Sequence, residues 1–145
     1  MVELEVSSPA DKFWAAIQDS ATLFPKIFPK QFKSIEIIEG DGKGVGSIRA
    51  LSLAEGIPHT KFSKEKIEIA DDENKLITYS VIEGDLLSLY KTFRPTLQVI
   101  PKGEGALVKW SVEYEKVSDK VPDPEVIQNL VVITFKELDA YLLKN

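Results

Sequence analysis

The chain has 145 residues, the size of one ordinary domain, and a hydrophobic fraction of 43% that predicts a globular fold with a substantial core. Its formal net charge of -5 argues against a nucleic-acid partner and against docking on an anionic membrane. The sequence contains no cysteine, which excludes disulfides, thiolate nucleophiles and cysteine-ligated metals.

The beginning of the chain has no apolar run, because Glu3 and Glu5 alternate with apolar residues. We therefore expect no signal peptide and a cytoplasmic location. The longest apolar stretch, residues 130–135, is too short to cross a bilayer. Length and composition together predict a single domain over residues 1–145 without membrane insertion.

The first part of the chain predicts one strand followed by two short helices. Residues 2–6 alternate apolar and acidic side chains, as a half-buried strand does. The sequence Ser-Ser-Pro at 7–9 is typical of a helix start, and apolar residues then recur on one side of that helix. A second helix is predicted over 22–28, broken by Pro25 and stopped by Pro29.

Six further strands are predicted from residue 33 onward, where the hydrophobic period changes to two. Short turn segments separate them, so consecutive strands are expected to pair antiparallel. Pro95 predicts an edge or a bulge, because proline has no N–H for a ladder. In the same strand the alternation places Phe93 and Leu97 on the inner face and Tyr90 on the outer face. The predicted strands cover residues 33–39, 46–53, 60–70, 75–82, 87–100 and 105–116.

The segment 39–46 carries four glycines at alternate positions between two predicted strands. Its spacing fits neither a Walker loop nor a dinucleotide fingerprint, and no helix is predicted after it. The backbone amides of such a loop could form a nest for an anion, whereas glycines also permit the positive φ values of a tight hairpin. Glu39 and Asp41 disfavour an anion, so we interpret the segment as a hairpin loop.

The last element is predicted to be one long amphipathic helix. The prolines and acids of residues 121–125 suit a first helical turn, and apolar residues then recur every three or four positions up to Leu142. An α+β fold follows, in which a curved antiparallel sheet wraps around this helix. Such an arrangement can enclose a space, and the inward strand residues suit an ordinary core and a ligand pocket equally well.

Several separate motifs resemble those of one plant family and occur in the same order. They are Leu-Phe-Pro-Lys at 23–26, the glycine loop at 39–46, Tyr-Ser-Val-Ile-Glu-Gly at 79–84, and Val-Lys-Trp-Ser at 108–111 with Glu-Tyr-Glu-Lys at 113–116. The chain resembles the birch-pollen-allergen, or pathogenesis-related class-10, superfamily, and within it the major latex protein branch. The resemblance implies a helix-grip fold of seven strands, two short helices, a long C-terminal helix and an internal cavity. It also implies binding of hydrophobic or amphipathic plant molecules such as steroids, flavonoids, cytokinins or alkaloids.

The resemblance further implies positions for the ligand. Tyr79 and Val81 match cavity-lining positions of the family by motif, and Leu51, His59 and Phe62 would lie at or near the cavity mouth. No catalytic residue and no cofactor is predicted. No metal site is predicted either, since one histidine and no cysteine leave only carboxylates as ligands. The predicted ligand-binding residues are Leu51, His59, Phe62, Tyr79, Val81, Phe93, Leu97, Trp110, Leu130 and Thr134.

The leading prediction is therefore a monomeric intracellular carrier, and the alternative is an enzyme of specialised metabolism that uses the same pocket. An isomerase, cyclase or condensing enzyme would need a proton shuttle, for which Glu83, Tyr79 and His59 are the candidates. The related norcoclaurine synthases use a glutamate at the position of Glu83 together with a lysine on the next strand. Residues 92–96 contain no lysine here, and Arg94 cannot act as a base. A ribonuclease and a ligand-gated partner-binding module are weaker alternatives.

Overall fold

A computed structural model describes residues 2–53 and 61–144. No helix within these two ranges is both long and apolar enough to cross a membrane. The elements are strand β1 (Val2–Val6), helices α1 (Ala10–Gln18) and α2 (Ser20–Ile27), strands β2 (Phe32–Glu39), β3 (Ile48–Leu53), β4 (Phe62–Asp71) and β5 (Leu76–Gly84), a 3-10 helix (Asp85–Ser88), strands β6 (Tyr90–Lys102) and β7 (Gly105–Lys116), and helix α3 (Glu125–Lys144).

The seven strands form one antiparallel sheet in the spatial order β1-β7-β6-β5-β4-β3-β2. Consecutive strands from β2 to β7 are neighbours, as the short turns of the sequence predict, and β1 and β2 form the two edges. The core is centred on Phe13, Val108 and Leu138, which are all buried. The Phe13 ring meets the Phe135 ring of α3 edge-on, with centroids 5.9 Å apart. This architecture confirms the predicted α+β helix-grip fold.

Helix α2 contains Pro25 and continues through it, so the prediction that Pro25 breaks the helix is wrong. Proline removes a single N–H from the helix, and packing of the neighbouring aromatic rings compensates for that loss. The ring of Phe24 lies 5.3 Å from that of Phe28 and 5.6 Å from that of Phe32, centroid to centroid. These contacts hold α2 against the first residue of β2.

Tyr90 at the start of β6 lies on the inner side of the sheet, which corrects the prediction that it faces outward. Its side chain is buried, and its ring lies 5.4 Å from the ring of Phe93. The cause is a register shift in the pairing with β7, where Tyr90 lies opposite Lys116 and Thr92 lies opposite Glu115. A bulge of this kind changes the face of every residue on one side of it.

Strands β5 and β6 pair only over Leu76–Thr78 and Thr96–Gln98, although both strands continue beyond this ladder. Pro95 is the first residue of β6 outside the ladder. A residue without an N–H therefore stands where β6 has a local open edge, which agrees with the expectation for Pro95. Beyond this point only β7 pairs with β6 in the described part of the sheet.

The glycine loop between β2 and β3 is a hairpin loop whose amides are used internally. Oδ1 of Asp41 accepts hydrogen bonds from the backbone N–H groups of Lys43 and Gly44, both at 2.8 Å. These two bonds are the main cause of the lowered pKa of Asp41. Gly40 and Gly42 adopt φ values of 79° and 83°, which only glycine adopts easily. The loop's own carboxylate thus occupies the position that an anion would take.

Candidate ligand-binding cavity

A cavity of about 230 Å³ lies between the inner face of the sheet and the helices α2 and α3. Every helix and every strand except β1 contributes to its wall, and most of the contributing side chains are apolar. The lining residues are Ile17, Ser20, Phe24, Gln31, Phe32, Ile35, Arg49, Leu51, Leu53, Ser63, Glu65, Tyr79, Val81, Leu86, Phe93, Pro95, Leu97, Trp110, Ile127, Leu130, Val131, Thr134 and Phe135.

The apolar part of the wall follows from the two hydrophobic periods of the sequence. On β6, Phe93, Pro95 and Leu97 occupy alternate positions and so face the same side of the sheet. On α3, Leu130 and Thr134 are four residues apart and so lie one above the other on the same face. The strands and the helix therefore present their apolar faces to a shared space, which is the composition expected of a small-molecule site.

One side of the cavity is polar and is formed by residues from α2, β3, β4 and β5, which we call the Arg49 cluster. Its members are the buried Ser20, Arg49 and Tyr79 and the half-buried Glu65. Nε and Nη2 of Arg49 donate to Oε1 of Glu65 at 3.3 and 3.2 Å. Nη1 of Arg49 donates to the hydroxyl of Ser20 at 2.6 Å. The guanidinium carbon lies 4.5 Å from the centroid of the Tyr79 ring, which is a cation–π contact.

Burial and charge act in opposite directions on the Arg49 cluster. Burial lowers the pKa of Arg49, but the neighbouring Tyr79 and Glu65 outweigh this effect and the pKa is raised overall. Burial is also the main cause of the raised pKa of Tyr79, while the positive charge of Arg49 partly opposes it. At neutral pH the cluster therefore contains a cationic guanidinium and a protonated phenol.

A second polar contact lies between α3 and the segment that follows α2. The hydroxyl of Thr134 is 2.8 Å from Oε1 of Gln31 and 2.7 Å from the carbonyl oxygen of Leu130. Gln31 and Thr134 both line the cavity. In residues 2–53 and 61–144, no three histidine, aspartate or glutamate side chains lie close enough together to hold a metal ion.

Comparison with known proteins agrees with this fold over the whole chain. The sequence profile of the pathogenesis-related protein Bet v 1 family matches residues 1–145. The chain belongs to the Bet v 1 family. Among curated relatives, MLP-like protein 423 of Arabidopsis thaliana is 52% identical over 143 residues, which cover 99% of this chain and 92% of that protein. The resemblance to the major latex protein branch is thereby confirmed.

Two solved structures have the same architecture as this chain. Ginseng major latex-like protein 151 from Panax ginseng matches with a TM-score of 0.89 and 28% identity, covering 98% of this chain and 95% of that one. Norcoclaurine synthase from Thalictrum flavum, in complex with dopamine and hydroxybenzaldehyde, matches with a TM-score of 0.82 and 30% identity. The alignment covers 99% of this chain and 85% of the synthase.

The predicted ligand-binding residues of this Bet v 1 family member mostly lie on the cavity wall. Phe62 is half-buried on β4 opposite Ser52 and is not among the described residues that line the cavity. His59 lies outside the described ranges. Contact with a ligand stays a prediction for all of them. Those on the wall are Leu51, Tyr79, Val81, Phe93, Leu97, Trp110, Leu130 and Thr134.

Sequence reasoning missed the polar members of the wall, Arg49 and Glu65 above all. A signal was present, since Arg49 shares its strand phase with Leu51, which was predicted to face the ligand. Glu65 in turn lies directly opposite Arg49 in the β3–β4 register. Opposite charges on the inner phase of adjacent strands predict a buried ion pair.

Glu83, the candidate acid or base of the enzymatic alternative, lies at the end of β5 and pairs with Lys64 at 3.0 Å. Its side chain is 61% exposed, and it is not among the described residues of the cavity wall. Lys91 on β6 is also exposed and lies 3.9 Å from Glu115. Within the described ranges, neither group reaches the cavity with a side chain that could transfer a proton there.

Proposed function

We propose that this protein binds one hydrophobic or amphipathic small molecule, a hormone or a specialised metabolite, in the cavity beneath the sheet. It acts as a monomeric cytoplasmic carrier, store or defence protein, without nucleic acid or cofactor. The observation that carries the proposal is a cavity of about 230 Å³ with a mostly apolar wall and only a few polar groups. Wall composition of this kind orients a ligand by a few hydrogen bonds while apolar burial supplies affinity.

The size of the cavity is consistent with useful affinity for a compact molecule. Burying roughly 200 Å² of apolar ligand surface contributes about 5 kcal/mol, before the costs of ordering the ligand and the wall. Tyr79 and Thr134 are the wall residues whose hydroxyl groups orient the ligand, Thr134 as an acceptor because its proton is bonded within the protein. A compact ligand is favoured because the cavity lies below the ~300–1,000 Å³ of typical ligand pockets.

Binding of a neutral fluorescent probe, N-phenyl-1-naphthylamine, tests the proposal, and a pair of variants places the probe. Val81→Phe adds a ring to the wall, whereas Ile82→Phe adds the same ring to the exposed neighbouring position of β5. We expect the native protein and Ile82→Phe to bind the probe and Val81→Phe to lose at least about tenfold in affinity. Absence of probe binding to the folded native protein would refute the proposal.

An enzyme using the same cavity is the alternative function, and the likeness to norcoclaurine synthase gives it support. The exposed position of Glu83 and its ion pair with Lys64 favour the carrier. Native mass spectrometry of the protein with a panel of plant metabolites separates the two functions. The molecules released from the protein are also separated by chromatography. A carrier returns each molecule with its mass and retention time unchanged, whereas a new mass or a separable isomer establishes catalysis.

A further inference from the structure

The structure assigns the Arg49 cluster a role in ligand choice: we infer that it selects an uncharged ligand that carries a hydroxyl or carbonyl oxygen, and rejects a carboxylate. This inference rests on the proposed function, because it concerns which molecule the same cavity binds. The cluster is the only place on the described wall where side chains of full opposite charge meet, at 3.2 Å. A ligand's polar end is therefore most strongly recognised there.

The Arg49 cluster retains hydrogen-bonding capacity after its internal bonds are counted. Among the described residues, three of the N–H groups of Arg49 have partners, and a guanidinium carries five. Glu65 accepts through Oε1 alone, which leaves Oε2 available to a donor. The Tyr79 hydroxyl forms no hydrogen bond with a described residue. A hydroxyl or carbonyl oxygen can use these groups in place of the water it loses on binding.

The charges of the Arg49 cluster determine whether the polar group of a bound ligand can be charged. Arg49 and Glu65 are largely removed from water, with 11% and 14% of their side chains exposed, and their charges cancel. A carboxylate on the ligand would be a third charge in this environment and would compete with Glu65 for the same guanidinium. Two carboxylates that share one cation repel each other strongly where water is excluded. A neutral oxygen adds a hydrogen bond without adding charge.

Three molecules with the same ring and the same number of carbons test the inference. They are the alcohol 2-(2-naphthyl)ethanol, the carboxylate 2-naphthaleneacetate and the hydrocarbon 2-ethylnaphthalene. Calorimetric titration at pH 7 measures the affinity of each. We expect the alcohol to bind at least as tightly as the hydrocarbon, although an apolar wall alone would penalise its hydroxyl. We also expect the alcohol to bind at least about tenfold more tightly than the carboxylate.

Glu65→Gln distinguishes recognition by the cluster from simple desolvation of the ligand. It keeps an oxygen acceptor for Arg49 but leaves the cation without a counter-charge, so the carboxylate should gain at least about tenfold relative to the alcohol. Glu68→Gln is the matched control, because Glu68 lies on the same strand, bonds to Ser80 at 2.7 Å and does not line the cavity. It should leave the alcohol-to-carboxylate ratio unchanged.

The possible results distinguish failure of the cluster's role from failure of the binding function. If the hydrocarbon binds but the alcohol is weaker, or if Glu65→Gln leaves the ratio unchanged, the role of the cluster is refuted while the binding function stands. If none of the three molecules binds, the binding function fails as well. Should Glu65→Gln not fold, the double variant Arg49→Met/Glu65→Met removes both charges together. This double variant should still bind the hydrocarbon, and it should bind the alcohol more weakly than the hydrocarbon.

Discussion

Substitution of Arg49 alone is expected to destabilise the fold strongly, because it leaves Glu65 as an unpaired carboxylate that is only 14% exposed. Loss of one partner of a buried ion pair costs about 3–5 kcal/mol. Loss of the cation–π contact with Tyr79 adds roughly 0.5–1 kcal/mol. The hydroxyl of Ser20 loses its bond to Nη1 as well. For a chain of this length, a loss of about 3.5–6 kcal/mol should lower the Tm of Arg49→Met by about 12–20 °C.

The double variant Arg49→Met/Glu65→Met should recover most of this loss, because replacing both charges by apolar side chains removes the uncompensated group. Its free energy of unfolding should lie within about 1 kcal/mol of that of the native protein. The native protein, Arg49→Met, Glu65→Met and the double variant form a cycle whose coupling energy should exceed roughly 3 kcal/mol. Lys64→Met is the control, because Lys64 pairs with the exposed Glu83, and an exposed pair contributes less than about 1 kcal/mol.

Urea unfolding, followed by the fluorescence of the buried Trp14 and Trp110, measures the free energy of unfolding of the native protein, of the variants in the cycle and of the control. A loss below about 1 kcal/mol for Arg49→Met would contradict the reasoning, since it would mean that water reaches Glu65 freely. A double variant as unstable as the sum of the single variants would also contradict it. In that case Arg49 and Glu65 would act independently rather than as a pair.

Three further predictions concern the frame around the cavity. Asp123 accepts from Lys116 at 2.7 Å and from Tyr114 at 3.0 Å, and these bonds lower its pKa. Its contribution is complete above about pH 4, the ordinary carboxyl pKa, and decreases as the pH falls toward the lowered pKa of the folded state, so urea unfolding should show a larger difference between native and Asp123→Asn at pH 7 than at pH 3. Asp139→Asn should cost about 1–3 kcal/mol in the same assay, because Asp139 accepts three bonds from Ser7 and Ser8. Gly84→Ala should destabilise far more than Gly103→Ala, since its Cβ would lie 2.3 Å from the carbonyl oxygen of Phe62 whereas nothing lies within 4 Å at Gly103; equal midpoints would contradict this.

The fold could be predicted from the sequence because its local signals agree with one another. Period-two segments with turns between them specified the order of the strands, and the stripe that ends at Leu142 specified α3. The errors arose where a tertiary contact outweighs a local rule. Aromatic packing keeps α2 helical at Pro25, and a register shift against β7 turns Tyr90 inward.

The apolar wall of the cavity was easier to predict than its polar side. The apolar wall follows from strand phase, which the sequence displays directly. The Arg49 cluster needs the register between β3 and β4, and a single sequence does not display that register. The space itself depends on how far α3 stands from the sheet, which no residue pattern encodes.

The short ladder between β5 and β6 has a mechanical consequence for the cavity. Among the described strands, the ladder of Leu76–Thr78 with Thr96–Gln98, extended by one bond from the N–H of Val99 to the carbonyl of Lys75, joins the part of the sheet that contains β1, β7 and β6 to the part that contains β2 to β5. Past that seam the two parts are held by side-chain packing between Val81 of β5 and Phe93 of β6 and by the 3-10 helix, without a backbone ladder. The volume beneath them can therefore change without breaking a paired strand. Backbone amides of β5 beyond Thr78 should therefore exchange with deuterium faster than those of β7 between Ala106 and Trp110, where β7 pairs with both β1 and β6, and a bulky ligand should increase that difference.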